Sequence, residues 1–178
     1  RENPLWLVPL HKLKCFANPP EPIKDPDRGT IRFPAWPASR YLARVGSNPA
    51  IVKAAVGIAL KLISTKNITV QEDLADLALS LPAEQAKRLV QPFITWVPTR
   101  YRLLLPKKLG DLVTHLANGG EKDAALRLAG ALLKLVPQSP GSDLLREGHP
   151  TIDPWAFGQI LERNIPDLVR ATGAGCWP

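Results

Sequence analysis

Proline is placed in this chain in two different ways, and that difference limits what it can fold into. Eight of the 19 prolines fall in residues 1–37: Pro4, Pro9, Pro19, Pro20, Pro22, Pro26, Pro34 and Pro37. Each one fixes φ, removes a backbone N–H and disfavours helix at the residue before it, so this density excludes a long helix. The same segment carries Leu5, Trp6, Leu7, Val8, Phe16, Ile31, Phe33 and Trp36. Large apolar groups in an extended chain pack onto something. Residues 1–37 therefore read as an irregular arm laid across the domain, with a short strand pair expected at Leu5–Val8 and Thr30–Phe33.

From Ala38 onward the apolar spacing becomes helical and the prolines sit near helix ends. Ala38–Val45 reads as a short helix behind Pro37. Ser47 as N-cap and Pro49 in the first turn predict a helix over Pro49–Ser64, with Lys53 and Lys61 on its one polar face. Thr69 and Glu72 match the S/T-x-x-E capping box, ahead of a stripe of Val70, Leu74, Leu77, Ala78 and Leu81. Pro82 opens the next helix, with Ala86, Leu89, Val90, Phe93 and Val97 as its stripe and a kink or break expected at Pro92. Pro106 opens another, striped by Leu109, Leu112, Val113 and Leu116 and ended by Gly119 and Gly120. Glu121–Val136 follows, nearly all apolar except Asp123, Arg127 and Lys134 on one face. Asp153 and Pro154 start a helix running to about Arg163, and a last one follows Pro166 and stops near Gly173.

Two of these helices share a pattern. GIALKLI at 57–63 and GALLKLV at 130–136 match at Gly, Leu, Lys and Leu, 73 residues apart. Each follows a short helix and a small-residue turn, YLARVGSNP in one case and THLANGGEK in the other, so each reads as the second helix of a pair. Gly57 and Gly130 are expected to let a neighbouring helix approach closely, with Lys61 and Lys134 at equivalent exposed positions. A nearly all-apolar helix needs partners on two or three sides, and stacked antiparallel pairs supply them.

With its paired helices, prolines near helix starts and second helices such as AIVKAAVGIALKLI and AALRLAGALLKLV, residues 38–136 resemble HEAT- or armadillo-type α-solenoid repeats. The stretch is also similar to helical segments built into large multidomain bacterial proteins. The resemblance implies a right-handed stack and a scaffold or interaction surface rather than a chemistry. The predicted fold class is all-α: a short α-α superhelix of stacked antiparallel helix pairs with an irregular Pro-rich N-terminal arm. One domain overall is expected, with an arm at 1–37, a helical-repeat core at 38–136, and a loop with capping helices at 137–178.

The chain carries 23 basic and 16 acidic residues, a net charge of +7, densest in the N-terminal third. That balance points to an acidic partner, or to ordinary solvated surface. The absence of methionine gives the expectation of a piece of a longer protein. Cys15 and Cys176 make no disulfide framework, so a reducing cytoplasmic compartment is expected. Leu5–Leu10 is too short and too broken by proline for a signal peptide, and no apolar run approaches the ~20 residues that cross a bilayer, so no membrane partner is expected.

Chemical motifs were sought on the same sequence. Neither G-x-x-x-x-G-K-[ST] nor G-x-G-x-x-G occurs. His11, His115 and His149 are far apart and neither cysteine lies in C-x-x-C, so no metal or other cofactor is expected. Cys15 with His11 nearby reads as a structural thiol rather than a nucleophile. Glu72, Asp73 and Asp76 read as a solvated face at a helix N-terminus. The expected function is a non-enzymatic protein–protein interaction or scaffolding module, bound to a protein partner or to another domain of its parent chain. Its expected contact residues are Lys61, Arg100, Arg102, Lys107, Lys108, Arg127 and Lys134. The alternative is a nucleic-acid-binding helical repeat. In RFPAWPASRYLAR, Trp36 would stack on bases while Arg32, Arg40 and Arg44 neutralise phosphates.

Overall fold

The computed structural model describes residues 3–97, 105–137, 151–152 and 154–173. Arg100, Arg102, Asp153, His149 and Cys176 lie outside the described residues. The protein is all-α, with two very short strand pairs among the described residues. It divides into two compact units, Arg1–Leu89 and Val90–Pro178, with the boundary inside the stretch 38–136. Among the described residues no helix is long and apolar enough to cross a membrane.

The first unit begins with a turn of 3-10 helix at Pro4–Trp6 that continues into α1, Leu7–Lys12. The strand expected at Leu5–Val8 is therefore a helix. Asn3 caps it by accepting from the Leu5 N–H at 3.0 Å, and Pro4 and Pro9 occupy early positions whose N–H groups need no intrahelical partner. Leu7 and Phe16 are the arm's buried anchors. Thr30–Arg32 is a strand as expected, β2, but its antiparallel partner is β1, Ile23–Asp25, in a hairpin whose turn uses Gly29 at φ +60°.

Next come α2, Pro37–Val45, α3, Val52–Lys61, α4, Ile68–Ser80, and α5, Ala83–Ala86. The start expected at Ser47 and Pro49 falls later. Asn48, not Ser47, organises the turn: its side chain accepts from the Ala50 N–H and its carbonyl from the Ile51 and Val52 N–H groups. The unit is built around α4, whose stripe Val70, Leu74, Leu77, Ala78 and Leu81 is buried, as are Ile68 and Ala75. α2 packs chiefly on α4, across the chain from its sequence neighbour α3. Gly46, at the end of α2, is where that packing is tightest. A Cβ there would strike Leu77 of α4 and the Leu42 carbonyl, so the neighbouring side chain occupies the space glycine vacates.

The N-terminus of α4 departs from the expected capping box. Its cap is Asn67, whose Oδ1 accepts from the Thr69 N–H at 3.0 Å. Thr69 lies inside the helix and its hydroxyl donates to the Phe33 carbonyl of the arm at 3.2 Å. Asn67 is fully buried. Its Nδ2 donates to the Pro34 carbonyl at 2.8 Å and to the Pro20 carbonyl at 3.0 Å. One side chain therefore caps α4 and holds the arm at two points. Asp73 is also not on a solvated face. It is buried beyond the first turn and accepts from the Ser39 hydroxyl at 2.5 Å, which links α2 to α4.

The helix opened by Pro82 breaks, but before Pro92 rather than at it. α5 passes into a 3-10 turn at Lys87–Leu89, and α6, Val90–Trp96, starts the second unit. Pro92 has no N–H for the Arg88 carbonyl and its ring crowds that carbonyl, so the distortion falls one turn upstream.

In the second unit α7, Leu105–Asn118, runs into α8, Lys122–Leu132, through a tight reversal. Gly120 takes φ +84°, its N–H donates to the Ala117 carbonyl at 3.1 Å, and the Glu121 N–H donates to the Leu116 carbonyl at 2.9 Å. That is the Schellman arrangement, and only glycine takes its left-handed position without strain. α7 and α8 form a packed antiparallel pair, with Leu109, Leu112, Val113 and Leu116 facing Ala125, Leu128, Ala129 and Leu132 in the buried core. β3, Val136–Pro137, pairs in parallel with β4, Thr151–Ile152. The last two helices, α9 at Pro154–Gln159 and α10 at Ile165–Thr172, are joined by a π turn over Ile160–Asn164 rather than separated. The π turn carries buried Asn164 against α7, where its Nδ2 donates to Thr114 Oγ1 at 3.1 Å.

The glycines expected to admit a neighbouring helix are not the ones that do so. A Cβ at Gly57 or Gly130 meets nothing within 4 Å, whereas at Gly110 it would lie 2.6 Å from Asn164 Oδ1 and 3.2 Å from Ile160 Cγ1. Gly110→Ala should lower stability by about 1–3 kcal/mol through overpacking. Gly57→Ala should raise it by about 0.5–1 kcal/mol, because it removes a mid-helix glycine without a clash. Urea titration followed by circular dichroism measures both. Asn67→Ala should cost about 2–4 kcal/mol, a lost cap plus two arm carbonyls left without donors. Asn67→Asp keeps the cap but offers no donors, so limited proteolysis should cut the arm while α4 stays helical.

Candidate functional site

The second unit presents a groove of about 480 Å³ between α6 and α8. Its α6 wall is Gln91 and Ile94, continued by Val97. Its α8 wall is Leu126, Arg127, Gly130 and Ala131, continued by Lys134 and Leu135. The lining is mostly aliphatic, with Arg127 and Lys134 as its two charged groups.

The sequence explains why a groove forms here. α8 carries apolar residues around most of its circumference. Ala124, Ala125, Leu128, Ala129 and Leu132 are buried against its neighbours α7, α6 and α10. Leu126 and Leu133 point elsewhere and are 51% and 42% exposed. Gly130 lies between them in sequence and contributes no side chain, so the α8 wall is low at its centre. Arg127 lies on α8 and Lys134 in the turn just past its end, and both line the groove. Both are exposed, and neither has an ion-pair partner among the described residues. Asp123, one turn before Arg127, lies outside the lining.

The other expected contact residues are not gathered in this groove. Lys61 is exposed at the end of α3 in the first unit, with its Nζ 3.4 Å from His11 Nε2. Lys107 is engaged by Asp111 at 3.2 Å, an i,i+4 pair on α7, and Lys108 is half-buried beside it. In the first unit Arg32 ends β2, while Arg40 and Arg44 are exposed one turn apart on α2. Trp36, which precedes α2, is half-buried. Its carbonyl accepts from the Arg40 N–H and lies 3.0 Å from Ser39 Oγ. Tyr41 of the same helix donates its hydroxyl to the Asn3 carbonyl at 2.7 Å and so ties down the start of the arm. Cys15, expected to be a structural thiol, is exposed and free. Among the described residues no three His, Cys, Asp or Glu side chains gather as a metal site requires.

Of the expected contact residues, Arg127 and Lys134 line the groove; Gln91, Ile94 and Leu126, which line it as well, were not among those expected. The available signal was Leu126, Gly130 and Leu133 at i, i+4 and i+7, a second apolar edge on a helix that already had a core-facing one. No protein-family model matches this chain, and no curated protein or solved structure matches it either.

Proposed function

We propose that the chain is a non-enzymatic module for protein–protein interaction or scaffolding, which binds a protein partner through the face of its second unit formed by α6 and α8. The observation that carries this reading is the groove: two unpaired cations stand over an aliphatic lining made by Ile94, Val97, Leu126, Ala131 and Leu135. Apolar side chains of a partner fill such a lining, while its carboxylates meet the rim cations. Nucleic acid satisfies the cations but offers a sugar–phosphate backbone with little apolar surface to bury in that floor. The resemblance to α-solenoid repeats supports the same reading, since such repeats serve as interaction scaffolds. The exposed free thiol of Cys15 is in keeping with residence in a reducing cytoplasm.

The test presents the whole 178-residue chain with a displayed library of random peptides and, separately, with labelled single- and double-stranded oligonucleotides at low and moderate salt. Enriched peptides that bind in solution are expected. Arg127→Glu with Lys134→Glu should weaken them about tenfold, or 1.4 kcal/mol, as two exposed attractions become repulsions. The circular dichroism spectrum should not change. Oligonucleotide binding that falls steeply with salt and is lost on replacing Arg32, Arg40 and Arg44 by Ala, with no peptide enriched, would overturn the reading in favour of the nucleic-acid alternative.

A further inference from the structure

The identity of the groove's occupant is constrained by three features of α8, and the inference rests on the interaction reading above. The first is Gly130. A glycine in the middle of a helix costs stability relative to alanine, and it persists where something must approach the backbone. In this unit nothing within 4 Å would meet a side chain at that position. Where the chain itself uses glycine for close packing, at Gly46 and Gly110, a Cβ would collide with a neighbouring side chain. Gly130 differs from Gly57, which is equally open, in lining the groove.

The second feature is the apolar edge. Leu126 and Gly130, one helical turn apart on α8, both line the groove, and Leu126 is among the most exposed large apolar residues of the second unit. The third is charge. Arg127, on α8, and Lys134, in the turn that follows it, both line the groove seven residues apart in sequence. A partner helix lying along the groove meets them with carboxylates. An extended peptide places side chains on alternate faces at 3.3 Å per residue and seeks backbone pairing from a sheet edge. α6 and α8 offer none, since their backbone groups are engaged within the helices.

We propose that the groove between α6 and α8 receives an acidic amphipathic helix, whose backbone comes closest to this chain at Gly130 and whose carboxylates meet Arg127 and Lys134. Its apolar side chains occupy the space between Ile94, Val97, Leu126 and Leu135. Gly130 is then the recognition counterpart of the internal glycines, retained for contact with another chain.

The experiment uses the full chain and a displayed library of peptides of about 18 residues, long enough for five helical turns. Three readouts follow: the enriched sequences, the helicity of a bound peptide by circular dichroism difference, and its affinity for two variants. Gly130→Met puts a flexible helix-forming side chain into the groove where the chain has open space, so its melting temperature should stay level or rise. Gly57→Met is the matched control on α3, where a Cβ also meets nothing within 4 Å. Expected are acidic peptides with apolar residues at i, i+4 and i+7, which become helical on binding. Gly130→Met should weaken them at least about tenfold, the scale of one blocked core contact in an interface, while Gly57→Met leaves affinity unchanged. Enriched peptides that are basic or bind extended, or that bind Gly130→Met as tightly as the parent chain, overturn the helix proposal while leaving the interaction reading standing. A library from which nothing is enriched overturns both.

Discussion

The first unit depends on a single buried amide. Asn67 has every polar group engaged. Its Oδ1 caps α4, its two Nδ2 hydrogens reach the carbonyls of Pro20 and Pro34, its N–H donates to Thr65 Oγ1, and its carbonyl accepts from the Gln71 N–H. The need for this residue comes from the arm. Apart from its β1–β2 hairpin the arm has no sheet partner among the described residues, and around Pro19, Pro20, Pro22 and Pro34 prolines remove N–H groups while leaving carbonyls. Once laid on the domain, its carbonyls require donors from elsewhere. Asparagine is suited to the position because it offers both the acceptor that a helix N-terminus wants and two donors for the arm. Aspartate lacks the donors, and serine or threonine has one hydroxyl proton against two carbonyls. Thr69 and Tyr41 extend the same arrangement to the Phe33 and Asn3 carbonyls, so all four contacts hold the arm through its backbone oxygens.

The second unit is governed instead by an excess of apolar surface on α8. A helix buried on every side is stable only if neighbours cover every side. α7, α6 and α10 cover most of α8 and leave the edge of Leu126 and Leu133 uncovered among the described residues. Nothing about folding requires leucine at those two positions. Arg127 and Lys134 on the same flank keep the edge hydrated in isolation, because their charged ends stay in water while their stems lie over apolar surface. The combination is compatible with a folded chain alone and with a partner bound.

What the sequence made legible follows from where proline and glycine punctuate it. α2, α4 and α7 stand close to their expected spans, and α8 starts beside its expected Glu121, because Pro37, Pro106 and the Gly119–Gly120 turn act locally, whereas α8 ends at Leu132 rather than Val136, which lies in β3. The buried stripe of α4 was readable for the same reason, since spacing of 3.6 residues is a property of the helix itself. The errors concern relations between distant parts of the chain. The capping box at Thr69 and Glu72 fits the local rule, but Thr69 is drawn into the helix because the arm competes for its hydroxyl. Asp73 reads as a surface acid until α2 brings Ser39 against it. The α2 segment reads as the partner of α3, yet its apolar face meets α4 through Gly46 and Leu77. Gly57 and Gly130 share a pattern with each other, and pattern alone does not show whether the space over a glycine is filled.

The two candidate surfaces differ in how much of their chemistry is still free to act. On α2, Trp36 is half-buried, and its backbone carbonyl is occupied by Arg40 and Ser39. Tyr41 is tied to the arm at Asn3. A stacking platform for bases needs an open aromatic face, and beside Arg40 and Arg44 both Trp36 and Tyr41 are half-buried. In the groove the balance is reversed. Leu126 is exposed, Arg127 and Lys134 have no ion-pair partner among the described residues, and Gly130 leaves the backbone approachable. Packing that serves the fold consumes such features, as it has at Gly46, Gly110 and Lys107. Their survival together on one side of α8 is why that side, rather than the arginine-rich start of α2, is the better place to look for a partner.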